Sequence, residues 1–149
     1  MDTRPLTPPV YLFVAMLAML VLDWLAPVIE LLPWPWRPLG LAPIALGAGL
    51  DLAAMIAMRR HGTTTDPAGT PKALVTGGAY RLSRHPMYLG LVLILIGIAV
   101  LLGSLTPFGV AALFAVLVDR LFARPEEVRL ERIFGEQWRR YRGKVRRWL

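Results

Sequence analysis

The chain contains no cysteine. Disulfides, thiolate nucleophiles and cysteine-bound metals are therefore excluded. Histidine is scarce as well. His61 and His85 are the only two, and they lack metal-ligand spacing, so no metal is expected. Charge is sparse, at 18% of residues, and unbalanced, with 17 Lys and Arg against 10 Asp and Glu. A proton pathway would need more intramembrane acids and basic partners than this chain carries.

What abounds is apolar residue, 56% of the 149 positions, above the share of an ordinary soluble domain. The length suits one domain, 1–149, and is too short for two large ones. The apolar residues cluster in four runs, 10–32, 39–58, 87–102 and 108–122. The first two match the roughly 20 helical residues that cross a hydrocarbon core. The last two are shorter and are expected to cross with local thinning, or as a tight hairpin against the first pair. The first run lacks a strongly basic start and a small-residue cleavage site, so it reads as a span rather than a cleavable leader. The expected fold is all-α: a polytopic membrane helix bundle of about four transmembrane helices with a C-terminal cytoplasmic amphipathic helix.

The basic residues give the orientation. They gather at Arg59, Arg60, Lys72, Arg81 and Arg84, and again from Arg120 to Arg147. The 103–107 connection has no charge and the 32–39 connection has only Arg37. The 59–86 and 123–149 segments are therefore expected in the cytoplasm, as are both termini. This placement suits anionic lipid head groups rather than nucleic acid. An integral protein of a bacterial inner membrane is the expected setting, and nothing in the sequence specifies an oligomeric state.

Local signals refine the pattern. Pro38 and Pro86 suit the first turns of helices, and Thr106 or Pro107 the start of the fourth. The 61–80 loop is long and rich in turn formers, as functional loops often are. Pro125 reads as the start of a new helix with Glu126 and Glu127 in its first turn. Leu130, Phe134, Trp138, Tyr141 and Val145 follow at helical spacing, with arginines between them, as in a helix lying on an anionic membrane. Asp23, Glu30, Asp51 and Asp119 fall in or near apolar runs. Glu30 and Asp119 can reach the interface, whereas Asp23 and Asp51 would pair between the first two helices or line a cavity.

Residues 84–90 read RHPMYLG. Arg84 beside an exposed helix start suits an anion. Gly77 and Gly78 permit close backbone approach or positive φ. Tyr80 and Tyr88 offer ring faces, and Glu126 and Glu127 can hold an ammonium or hydroxyls. A zwitterionic cofactor with a flat base, a ribose and a sulfonium would use all of these.

The segment LVTGGAYRLSRHPMYLG, followed across the last hairpin by RPEEVRLERIFGEQWRRYRGKV, resembles the isoprenylcysteine carboxyl methyltransferase family. That family lies within a wider group of integral-membrane methyltransferases that includes phospholipid N-methyltransferases. His61 to Thr64, with Asp66 and Pro67, also look like bacterial members. The resemblance implies S-adenosylmethionine in a cytoplasmic pocket closed by the C-terminal segment, and a lipophilic small-molecule acceptor bearing a carboxylate, amine, thiol or phenol. It implies that Lys72, Ala73, Leu74, Val75 and Tyr80 contact the cofactor, with His85, Pro86, Met87 and Tyr88 as a second wall. Glu127, with Glu126 as the alternative, takes the acidic position, and Arg124 the substrate side. Two rival readings are a non-catalytic membrane scaffold and an NADPH-dependent membrane reductase.

Overall fold

The computed structural model describes residues 7–64 and 69–149. Arg4, Asp66 and Pro67 lie outside the described residues. Pro8 opens α1 (Pro8–Leu25) from its first turn, where a missing N–H costs nothing. The helix stops well before residue 32, the expected end of the first span. Pro27 is the cause: a residue before proline is pushed out of the helical region, and Ala26 sits at φ −147°, ψ 69°. A 3-10 turn at Arg37–Gly40, carrying Pro38, leads into α2 (Leu41–Arg60). Pro86 opens α3 (Pro86–Leu102) and Ser104 precedes α4 (Leu105–Val118).

The end of the fourth run departs from expectation. Pro125 does not restart the chain. A π-turn at Asp119–Ala123 joins α4 directly to α5 (Arg124–Phe134), giving 30 continuous helical residues, Leu105–Phe134. Pro125 cannot donate to the i−4 carbonyl, and its ring crowds that carbonyl. The wider turn relieves the conflict, with the Arg124 N–H bonded to the Asp119 carbonyl. Gly135, at φ 49° and ψ −115°, then breaks the expected single C-terminal helix, and α6 (Glu136–Lys144) follows.

Three helices are long and apolar enough to cross a membrane, and α3 is a shorter apolar helix of 17 residues. The outward faces are apolar. Phe13, Trp24 and Leu46 are 69%, 83% and 67% exposed, which suits hydrocarbon and not water. Among the described residues the β contact is one isolated bridge, Glu30 to Ser104. The protein is an integral membrane helix bundle.

Two packing seams hold it. In the first, Met19, Leu95, Ala99, Phe114 and Val118 are buried between α1, α3 and α4. The second joins α2 to α3 through paired glycines, Gly40 with Gly97 and Gly47 with Gly90. A Cβ on Gly47 would lie 2.5 Å from the Gly90 carbonyl oxygen, so the helices touch backbone to backbone. Gly47→Leu should therefore lower the melting temperature, by an amount equivalent to at least about 1–3 kcal/mol of overpacking. Gly49→Leu is the control, since nothing among the described residues lies within 4 Å of its Cβ position.

The α3–α4 corner is tied to the end of α1. Gly103, at φ 84°, accepts from the N–H groups of Leu31 (2.8 Å) and Leu32 (3.0 Å). Asp23 does not pair between the first two helices. It accepts a hydrogen bond from the Ser104 hydroxyl at this corner. Glu30 pairs with Arg37 at 2.9 Å.

At the other end, α6 folds back over the 74–80 loop. Trp138 is 1% exposed, and with Tyr141 it packs on Ala54, Val75, Ala79 and Tyr80. Leu130, Phe134 and Val145 join this cluster. The apolar stripe is therefore covered by the protein's own loop and the C-terminal end of α2, not laid on a membrane. The turn at Gly135 makes this possible by redirecting the stripe's second half.

Candidate active site

The loop after α2 is organised by short-range bonds. The His61 Nδ1–H donates to the Ala57 carbonyl (2.8 Å), and Gly62 turns the chain at φ 62°. The Thr63 hydroxyl accepts from the Lys72 N–H at 3.1 Å, closing the loop's two arms. A 3-10 turn at Gly78–Arg81 presents Tyr80, with Gly78 at φ 60°. Among the described residues nothing lies within 4 Å of a Cβ at either Gly77 or Gly78, so they serve the turn and not a close approach. The Tyr80 carbonyl accepts from the Tyr141 hydroxyl at 2.7 Å, fastening α6 to the loop. Burial, and next the charge of Glu126, push the Tyr80 phenol well above its ordinary range, so it stays protonated.

Ser83, His85 and Tyr88 of the 83–88 corner are each tied down. The buried Ser83 hydroxyl accepts from the His85 N–H (3.1 Å) and donates to the Arg147 carbonyl (2.8 Å). The His85 and Tyr88 rings stack, with centroids 5.4 Å apart. The Tyr88 hydroxyl donates to Glu126 Oε2 at 2.9 Å. The His85 Nε2–H donates to Glu127 Oε1 at 3.2 Å.

The two adjacent acids have different surroundings. Arg147 grips Glu127 with two bonds, Nε to Oε1 (2.9 Å) and Nη2 to Oε2 (2.8 Å). Arg84 Nη1 lies 3.4 Å from the same carboxylate. Burial pushes the Glu127 carboxyl up, but the bonds from Arg147 and His85 and the charge of Arg84 outweigh it and hold it at about 2. This depressed acid stabilises the folded state fully above its ordinary value near 4.5, and the contribution is lost as pH falls toward 2. The melting-temperature gap between wild type and Glu127→Gln should therefore shrink between pH 6 and pH 3.

A cavity of about 500 Å³ opens between α2, the loop, α3, α5 and α6. Ala73, Leu74, Val75, Tyr80, His85, Pro86, Met87, Tyr88 and Glu126 all line it. Lys72, Glu127 and Arg124 do not. Lys72 is held beside Thr63, Glu127 lies behind His85 in the arginine cluster, and Arg124 is half exposed and bonded to Asp119 at 2.6 Å. Glu126 therefore holds the cavity position for which Glu127 was the first choice. The π-turn adds a residue to the helical phase, turning the following face by roughly 100°.

The cavity also draws on Arg84, which the sequence offers for an anion, on Asp51, for which lining a cavity is one of two readings, and on Trp138 and Tyr141, expected only as part of the apolar stripe. Arg84 carries a readable signal, since it directly precedes His85 and Pro86. Its side chain is 9% exposed, its guanidinium lies 5.8 Å from the Trp138 ring centre, and its Nε has no hydrogen-bond partner among the described residues. Trp138 and Tyr141 belong to the apolar stripe and gave no sign of which wall they would meet. Arg147 and Trp148 gave none either, yet both bond Asp119 from the chain's end, at 3.4 Å and 3.2 Å.

Residues 36–137 match the family described as phospholipid methyltransferase. The chain belongs to the phospholipid methyltransferase family. The matched stretch takes in α2, the loop, α3 and α5, which form much of the cavity wall, and ends before Trp138, Tyr141 and Arg147. The family member is 36% identical over 113 residues to protein-S-isoprenylcysteine O-methyltransferase A of Arabidopsis thaliana. That match covers 72% of this chain and 56% of the plant protein. Protein-S-isoprenylcysteine O-methyltransferase B of the same plant is 35% identical over 117 residues, covering 75% of this chain and 58% of its own. The chain thus spans little more than half the length of these two relatives. An uncharacterized protein of Haemophilus influenzae is 40% identical over its whole length, which covers 42% of this chain. No solved structure matches the chain.

Proposed function

We propose that this protein transfers a methyl group from S-adenosylmethionine to a lipophilic acceptor held in the membrane. The observation that carries the reading is one cavity bearing a buried arginine, an acid and aromatic walls at the mouth of the bundle. The group fits these residues. Arg84, with its unpartnered Nε, suits the cofactor's carboxylate, and Glu126 its ammonium or ribose hydroxyls. Tyr80, Tyr88 and Trp138 offer ring faces for a flat base, and Ala73 to Val75 line the same wall. A volume near 500 Å³ lies within the range of small-ligand sites. When bound, S-adenosylmethionine supplies a methyl group made electrophilic by its sulfonium.

The chain's own work is then binding, alignment and exclusion of water. The stacked His85 and Tyr88 rings close one side, and α6 closes the other. Glu127, held by Arg147, fixes His85 rather than meeting the ligand. In this reading Glu127 positions the wall, and Arg124 serves the surface cluster with Asp119. The acceptor's apolar part enters between α1, α2 and α3, where Pro8, Met55 and Leu91 line the cavity.

Detergent-purified protein, given methyl-labelled S-adenosylmethionine and a membrane lipid extract, should pass label into the organic phase. Label that stays with the cofactor would refute the activity and favour a scaffold, while thermal stabilisation by NADPH alone would favour a reductase. The orientation belongs to the same reading, since the cations around residues 59–84 and 120–147 suit the cytoplasm. Reporter fusions after residues 62 and 149 should both report cytoplasm, and opposite answers would overturn the four-crossing topology.

A further inference from the structure

A second cleft opens between the 74–81 loop and α6. Among the described residues three cations line it, Arg81 from the loop with Arg140 and Lys144 from α6, and no acid does. All three are exposed. Arg140 and Lys144 stand at i and i+4 on one face of α6, where like charges repel. Arg140 is paired with Glu136 at 3.3 Å, but an exposed ion pair of this kind holds a charge weakly. Arg81 and Lys144 have no ion pair or side-chain hydrogen bond among the described residues. Cations from two elements thus face one opening with little of opposite sign to answer them, and the positive potential there favours an anion. Leu74, Tyr141 and Val145 line the same cleft with apolar surface. The bundle helix α3 begins at Pro86, shortly after Arg81, so the cleft sits at the end of the bundle, where lipid head groups gather.

We propose that this cleft binds the phosphate head group of an anionic membrane lipid, held by Arg81, Arg140 and Lys144. Both cation types suit phosphate oxygens, and the apolar lining suits the start of a lipid chain better than a free phosphate ion. The bound phosphate bridges the loop to α6, which the Tyr141 hydroxyl already ties to the Tyr80 carbonyl at 2.7 Å. Leu74 and Tyr141 line both this cleft and the first cavity. A head group that clamps their two elements together therefore tightens the first cavity around its ligand. By reciprocity, that ligand tightens the hold on the lipid. Lipid binding stands independently of the methyltransferase reading, and only its coupling to the cofactor rests on that reading.

The test compares the full chain in nanodiscs of phosphatidylcholine alone and of an equal mixture with phosphatidylglycerol. Native mass spectrometry of protein released from the mixed discs should show wild type retaining phosphatidylglycerol over phosphatidylcholine. The double variant Arg81→Gln, Lys144→Gln should lose that preference. Arg59→Gln with Arg60→Gln removes the same charge from exposed positions that line neither cavity, and should keep it. Cooperative melting checks that each variant folds. Wild-type affinity for S-adenosylhomocysteine should be at least about fivefold tighter in the mixed discs, the low end of ordinary coupling between sites. The Arg81, Lys144 variant should bind it equally in both discs, at the wild-type value in phosphatidylcholine. Lipid preference that survives in the cleft variant, or is lost equally in the Arg59, Arg60 control, would overturn the site. Inorganic phosphate added to phosphatidylcholine discs should not reproduce the tightening. If it does, the cleft takes the free ion and the lipid assignment falls. Selective lipid retention without a change in cofactor affinity would refute the coupling alone. If wild type binds no S-adenosylhomocysteine in either disc, the methyltransferase reading falls, and lipid retention still decides the site.

Discussion

Glu127→Ala should lower the melting temperature of the detergent-purified protein by roughly 6–12 °C. The figure follows from about 3 kcal/mol for removing one partner of a buried ionic cluster, at about 2–4 °C per kcal/mol in a chain of this size. It is the lower end of the usual range because Arg147 remains 30% exposed and recovers some hydration. The loss is large because one carboxylate answers two arginines and His85 together. Without it Arg84 stays buried as an uncompensated cation. The C-terminal segment should also detach, since Arg147 ties it to α5 and its carbonyl is held by Ser83. Limited trypsin digestion should then cut near Arg146 faster than in wild type. A variant that melts with wild type would show that the cluster is not what holds the segment down.

Glu126→Gln should do the opposite. Gln keeps an oxygen that can accept from the Tyr88 hydroxyl, so the fold should melt within about 1 °C of wild type. The negative charge facing the cavity disappears. S-adenosylhomocysteine affinity should fall at least tenfold, the equivalent of about 1.5–3 kcal/mol for a charged hydrogen bond. Calorimetry on the folded variant measures it. Unchanged affinity would remove Glu126 from the proposed cofactor site. The paired outcome separates the two adjacent acids: one supports the wall, the other faces the ligand.

That distinction was beyond reach of the sequence for a geometric reason. Glu126 and Glu127 are one residue apart, about 100° around a helix, so their roles depend on helical phase. The phase is set by the π-turn at Asp119–Ala123, which exists because a long helix continues through Pro125. Locally, Pro125 after charged Arg120 and Arg124 looks like a boundary. The continuation is a tertiary outcome, with Phe122 and Ala123 buried against the α1, α3 and α4 core. The Arg147 grip on Glu127 is likewise a long-range contact from the end of the chain.

Much else could be read directly. Pro86 after His85 marked the start of α3, because proline fits a first helical turn and Arg84, His85 and Tyr88 then fall at its mouth. The four apolar runs became helices, and the end of α1 missed only because Pro27 lies within an apolar stretch and leaves hydropathy unchanged. The residues of the stripe from Leu130 to Val145 do share one cluster, although Gly135 splits their helix and Val145 lies past its end in extended backbone. The stripe's partner was not legible, because an apolar face fits a membrane and a protein loop equally well.

The most direct measurement is a calorimetric titration of S-adenosylhomocysteine into the purified wild-type protein. The expected result is saturable one-site binding that Arg84→Met weakens at least tenfold, since Arg84 is the buried cation lining the cavity. An absence of binding heat and of thermal stabilisation, in protein that melts cooperatively, would contradict the assignment of this cavity to the cofactor.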